Sequence, residues 1–195
     1  MLRSFVVIFL ACFFVSCSMP ETKIYSLYLP QDGDAKNTKA AVVSSLTIHL
    51  DSPRYLAQLY IAHRNSPYQL SISKYSKWDA APYDLVKEAF RETLLASGLF
   101  REVRFSNSVS GDFYMLAIHL KKFELLETTE GAFGEVEFDA VLFSPESKEL
   151  YHLTVSKEKK MNDKSFESLA KALSSGLAEG INEVKSGISD VLPAR

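Results

Sequence analysis

From position 135 onward hydrophobic and acidic side chains alternate: Val136, Phe138, Ala140 and Leu142 share one parity, and Glu135, Glu137 and Asp139 the other. A period of two over this length is a strand with one buried and one wet face, so the chain must build a sheet covered on a single side. The neighbouring segments extend it into an antiparallel meander. Residues 113–126 are long enough for a strand that bends or bulges, and Gly131 with Gly134 marks the turn that follows. Ser144-Pro145-Glu146-Ser147 then turns the chain into a further strand at 149–156.

The upstream half supplies more strands and the first cover. Residues 23–29 read as a strand with Tyr25, Leu27 and Leu29 on one face, followed by a polar loop at 31–39. Residues 42–50 alternate again through Leu46, Ile48 and Leu50, and Asp51-Ser52-Pro53 ends that strand. Residues 56–62 and 68–74 read as paired strands joined by residues 63–67. Pro82 suits the first turn of a helix, and Leu85, Val86, Ala89, Phe90 and Leu94 form its apolar stripe before Gly98. A short strand is expected within 99–105. The last helix carries Phe166, Leu169, Ala170, Leu173, Leu177, Ile181 and Val184, with Asn162 or Asp163 as its cap. Gly176, Gly180 and Gly187 lower its intrinsic propensity, and either permit close packing or allow fraying. This is an α/β composition in α+β-like order: a single mixed or mainly antiparallel sheet carrying two principal helices.

The chain opens Met1-Leu2-Arg3, continues through an apolar run at 4–15, and reaches Ser16-Cys17. A short basic start and an apolar run too short to span a bilayer comfortably are the marks of an export signal. A small residue directly before a cysteine is the pattern of lipoprotein processing, and Phe14 departs from the usual leucine. An ordinary secretory signal with an incidental cysteine, or an uncut anchor, are the other readings. The expected organisation is a signal peptide at 1–16, a lipidated tether at 17–22, one periplasmic domain at 23–188 and a flexible tail at 189–195. Ser18, where aspartate favours inner-membrane retention, tilts the destination to the outer membrane. Cys12 falls in the discarded segment, so the mature body keeps no thiol pair for a disulfide and must be held by its core. The full chain's 22 basic and 24 acidic residues give no electrostatic reason to expect a nucleic-acid partner.

Chemistry-bearing patterns are sparse. His49, His63, His119 and His152 form no close-spaced ligand pair, and neither a zinc-protease, a paired-cysteine nor a phosphate-loop motif occurs. Glu135, Glu137 and Asp139 read as the hydrated side of a strand, and Lys157-Glu158-Lys159-Lys160 as an exposed turn. No catalytic residue, metal site or cofactor is expected beyond covalent lipid on Cys17. Tyr68, Tyr75, Trp78 and Tyr83 are the candidate partner contacts, with closure of the core as the other role for Trp78.

These residues resemble a known family, the auxiliary lipoproteins of ABC-type transport systems that accompany MCE-type intermembrane lipid transporters. The resemblance is carried by Tyr25 and Leu27 after the tether, Ser52-Pro53-Arg54-Tyr55-Leu56, and Tyr68-Gln69-Leu70 leading through Tyr75 to Trp78 and Pro82. The Phe123-Glu124 region and the C-terminal helix also fit. Arg54 interrupts the proline-tyrosine-leucine-aspartate run frequent in that family, and Lys77 replaces an arginine before the tryptophan. The resemblance implies a non-enzymatic periplasmic domain partnered by an MCE-domain protein with its permease and ATPase, assisting transfer of phospholipid or another apolar cargo. An assembly lipoprotein for the outer membrane or a secretion system, or an envelope hydrolase, are the alternatives.

Overall fold

The computed structural model of the chain describes residues 20–29, 45–66, 68–106 and 113–192; Cys17, the export segment and the whole 31–39 loop region lie outside them. Eight strands form one mixed sheet with two helices against it. In chain order these are β1 (Lys23–Tyr25), β2 (Leu46–Asp51), a 3-10 turn (Arg54–Ala57), β3 (Tyr60–Ser66), β4 (Gln69–Trp78) and α1 (Pro82–Ala96). Then come β5 (Val103–Phe105), β6 (Tyr114–Thr128), β7 (Gly131–Phe143), β8 (Glu149–Lys160) and α2 (Phe166–Val191).

The meander β6-β7-β8 is antiparallel, as the alternation requires. β7 points Val136, Phe138, Ala140 and Leu142 at the helices, all of them buried, where α1 contributes Phe90 edge-on to Phe138 at 5.3 Å. The opposite edge of β6 is forked. Its first half pairs in parallel with β2, from Leu46 opposite Tyr114 to Asp51 opposite His119, and its far end pairs in parallel with β3 at Leu125 and Leu126. β2 carries β5, while β3 carries β4 and then β1. Between the two branches β6 bulges at Lys121, leaving a stretch of its edge without a strand partner.

Pro82 occupies the first turn of α1, and Gly98, with φ of +70°, takes the left-handed conformation just past its end. α2 lies so close to the sheet that a Cβ on Gly180 would meet Val155 at 2.8 Å and Phe138 at 3.0 Å, and one on Gly187 would meet the Tyr151 ring at 2.2 Å. Close packing is therefore what these glycines permit. Among the described residues no helix is long and apolar enough to cross a membrane.

Five local expectations are corrected. Residues 56–62 are not one strand, because Pro53 opens a 3-10 turn, with Leu56 N–H donating to its carbonyl at 3.0 Å. β3 consequently starts later and runs through His63 and Arg64, which pair with β6 and are no loop. Residues 157–160 are strand and no exposed turn, since Lys157 and Lys159 lie along α2 and bind Glu183 and Glu179 at 2.6 and 2.5 Å. The cap of α2 is Ser165, whose hydroxyl accepts from Ser168 N–H at 3.1 Å, while Asp163 accepts from Ser165 N–H at 2.8 Å. The strand expected over 23–29 ends at Tyr25, where the chain leaves the sheet and crosses α2, with Tyr28 N–H donating to Ser174 Oγ at 3.1 Å.

Candidate docking surfaces

The gap in the forked sheet is closed by a polar cluster. The 3-10 turn sets Tyr55 over the bulge, its hydroxyl 3.3 Å from the Lys121 carbonyl oxygen and donating to Glu124 Oε2 at 3.0 Å. Arg64 Nε donates to Glu124 Oε1 at 2.5 Å, and Nη2 reaches Oε2 at 3.4 Å. The Glu124 side chain is fully buried, so the guanidinium and the phenol are what make its burial tolerable. Burial, with the adjacent Glu124 carboxylate, pushes the Tyr55 phenol far above its ordinary range, and hydrogen bonding to Glu124 raises Arg64. Neither group exchanges protons near neutrality, which is how a brace behaves and how an acid-base pair does not.

The same face continues as an ion network. Glu135, opposite Glu124, is held by Lys122 at 2.7 Å, and Lys122 also reaches Glu137 at 3.0 Å. Asp139 takes Lys121 at 2.8 Å and Thr154 Oγ1 at 2.7 Å. Burial raises the Glu135 carboxyl despite Lys122. Among the described residues, no group of three or more His, Cys, Asp or Glu is placed to hold a metal ion. His119 instead pairs with Asp51 at 2.5 Å and His63 with Glu127 at 2.9 Å.

Among the described residues two surfaces set aromatic rings beside cations. One is a recess of about 270 Å³ between α1, β2 and β5, lined by Ile48, Leu50, Tyr83, Lys87, Phe105 and Ser106. The Lys87 ammonium stands 4.2 Å from the Phe105 ring centre and 5.5 Å from that of Tyr83, so the cation is carried on aromatic faces. The other lies at the far end of the sheet order, where Tyr68 is 98% exposed and Ile72, Tyr75 and Tyr60 are also exposed along β3 and β4. β1 pairs only with Ser76, Lys77 and Trp78 of β4.

The four aromatic candidates thus separate. Tyr68 and Tyr75 are on the open β3-β4 end, and Tyr83 is on the rim of the recess. Trp78 is 1% exposed and packs edge-on to Phe123 at 5.7 Å, which gives it the core-closing role, with its indole N–H unpartnered in the described structure. Cys17 is outside the described residues. Sequence reasoning did not foresee the Tyr55-Glu124-Arg64 brace; its signal was an acid, Glu124, set within the apolar stretch Phe123 to Leu126.

No protein-family model and no curated protein matches the chain. Among solved structures it is similar to protein XCC0632 from Xanthomonas campestris, described under the family DUF330, with a TM-score of 0.71 and 19% identity. That likeness covers 86% of this chain and 96% of the other. It is similar also to an uncharacterized protein, with a TM-score of 0.66, 16% identity, and coverage of 87% and 99%. At these identities the shared property is the fold: a forked mixed sheet carrying two helices is an architecture found in other proteins over nearly their whole length.

Proposed function

We propose that this protein is a lipid-tethered periplasmic docking subunit of an ABC-type intermembrane lipid transport system, held by an acylated Cys17 and contacting an MCE-domain partner. It works without catalysis or cofactor, the transporter's ATP hydrolysis taking place on another chain. One observation carries the reading. The body presents two separate surfaces that set aromatic rings beside cations at opposite ends of its sheet order, the Tyr68, Ile72 and Tyr75 end and the Tyr83-Phe105 recess with Lys87, which is what a subunit bridging two neighbours requires. The polar groups between them are engaged in ion pairs that brace the sheet. The resemblance in residues 52–56 and 68–82 supplies the class of partner.

A photo-crosslinking residue in place of Tyr83 or Phe105, activated in intact envelopes and followed by mass spectrometry, tests it. Adducts with an MCE-domain protein are expected. Adducts with a secretion ring or an outer-membrane barrel, and none with an MCE protein, replace this reading with the assembly lipoprotein.

A further inference from the structure

β1, β3 and β4 contain no aspartate or glutamate, and carry Lys23, His63, Arg64, Lys74 and Lys77. His63 and Arg64 are engaged by Glu127 and Glu124. Lys23, Lys74 and Lys77 enter no ion pair among the described residues, and Lys77 lies 6.0 Å from the centre of the Tyr60 ring. Exposed Ile24, Tyr60, Ile72 and Tyr75 lie on the same three strands and Tyr68 just before β4, spread over both faces of this sheet edge. Cationic ends beside tyrosines and isolated aliphatics are the composition of a bilayer headgroup region, where an amphipathic ring sits at the interface and lysine meets phosphate.

The tether decides what this surface faces. β1 runs parallel to β4 with Lys23 opposite Ser76, so the residues before Lys23 head back along β4 toward Tyr75 and Lys74. Pro20, Glu21 and Thr22 are exposed on that path. Cys17 stands six positions before Lys23, and six extended residues reach at most about 20 Å. An acyl group at Cys17 therefore holds this end of the body near the bilayer. Glu21 is the one acid on the path, against three unpaired lysines.

Resting on the reading of Cys17 as the lipid anchor, we propose that the β1-β3-β4 end is a membrane-contact surface: Tyr68, Ile72 and Tyr75 enter the headgroup region of an anionic leaflet while Lys23, Lys74 and Lys77 meet its phosphates. The contact fixes the body's orientation and turns the Tyr83-Phe105 recess toward the partner.

The test uses the full chain as its host matures it, reconstituted in vesicles of phosphatidylethanolamine and phosphatidylglycerol or of phosphatidylcholine, with amide hydrogen exchange read peptide by peptide. Mass spectrometry of the N-terminal peptide comes first, and a mature chain without an acyl group on Cys17 overturns the anchor and this inference with it. With the acyl group present, several-fold slower exchange at residues 69–75 in the anionic vesicles is expected, with residues 149–160 unchanged. That slowing should diminish in high salt and be lost in Lys74→Glu with Lys77→Glu. Equal exchange at 69–75 in anionic vesicles and in detergent overturns the surface assignment while leaving the anchor standing. So does slowing that appears only after an MCE-domain protein is added, which gives the surface to a protein partner. Because these side chains are exposed, Tyr68→Ser with Ile72→Ser supplies a second variant that folds and must also lose the slowing.

Discussion

The two flanks of the sheet solve the same problem in opposite ways. β8 is a twelve-residue strand with one partner, and its last four positions are Lys157, Glu158, Lys159 and Lys160. Charge of both signs along an unpaired edge discourages another strand from adding to it. β4 is also incompletely paired, yet from Gln69 to Ser73 it has no charge at all, and its exposed positions include Ile72 and Tyr75. A chain that guards one edge and leaves the other bare has reserved the bare one for contact. The charges follow the same division: β7 carries acids only and β8 both signs, whereas β1, β3 and β4 carry bases only.

The largest effect is expected where the bare flank joins the core. Trp78→Ala removes a fully buried ring from contact with Phe123 and should cost about 3–5 kcal/mol by chemical denaturation. If the loss is under about 1 kcal/mol, the β4 end is not anchored through Trp78 and the comparison of the flanks fails at its root. Glu124→Ala comes next. It strips Arg64 and the Tyr55 hydroxyl of their partner at the fork, for about 3 kcal/mol, the low end for a broken buried pair because Arg64 retains some contact with water. β3 and β4 should lose hydrogen-exchange protection in this variant before β7 and β8 do.

Acid should act more on the other flank than on this one, where Glu127, held low by Lys164 and His63, is the lowered carboxyl that touches β3. The hydrogen bond from Lys159 holds Glu179 low, and Lys121 and Thr154 hold Asp139 low although burial works against them. Asp163 is lowered to about 2 by the Ser165 and Ser168 hydroxyls and the Ser165 backbone N–H. Each lowered carboxyl contributes stability that is complete above its ordinary range near 4 and is lost as the pH falls through its folded value. Glu135, raised by burial, has the opposite sign and becomes less favourable as the pH rises through its folded value. Titration from pH 5 to about pH 2 should therefore loosen β7, β8 and the start of α2 first. Amide exchange followed through that range checks the order, and earlier opening of β4 contradicts it.

How much of this was legible follows from the range of the forces involved. Val136, Phe138, Ala140 and Leu142 announced their strand because burial alternates with the backbone itself, and the stripes of both helices did so for the same reason. The fork of β6 was not legible. It depends on β2 and β3 arriving at one edge from opposite sides of a turn, and nothing local to residues 120–124 specifies who fills the space between them. Tyr55 and Glu124, 69 positions apart, were each visible as members of a recurring pattern, but their meeting was not. The charged run at 157–160 misled for a related reason: lysine stems can lie on a helix while their ammonium groups find Glu179 and Glu183, so polar sequence and half-buried strand coexist. Tyr68, Tyr75 and Trp78 shared one motif, and only the fold separates two rings in solvent from one in the core.

The smallest effect sharpens the comparison most, because it separates contact from stability. On the guarded flank, breaking the Lys159-Glu179 pair by Lys159→Ala should cost about 0.5 kcal/mol, as half-exposed ion pairs do. On the bare flank Ile72→Glu should change stability by no more than about 0.5 kcal/mol, since that side chain is already half in solvent. If Ile72 were held by the fold, its replacement would register in denaturation as a core change does. If it is held for a neighbour, denaturation curves of the variant and the parent will superimpose while contact at residues 69–75 weakens. The Lys159 variant should show the reverse, a small measurable loss of stability with contact at 69–75 untouched.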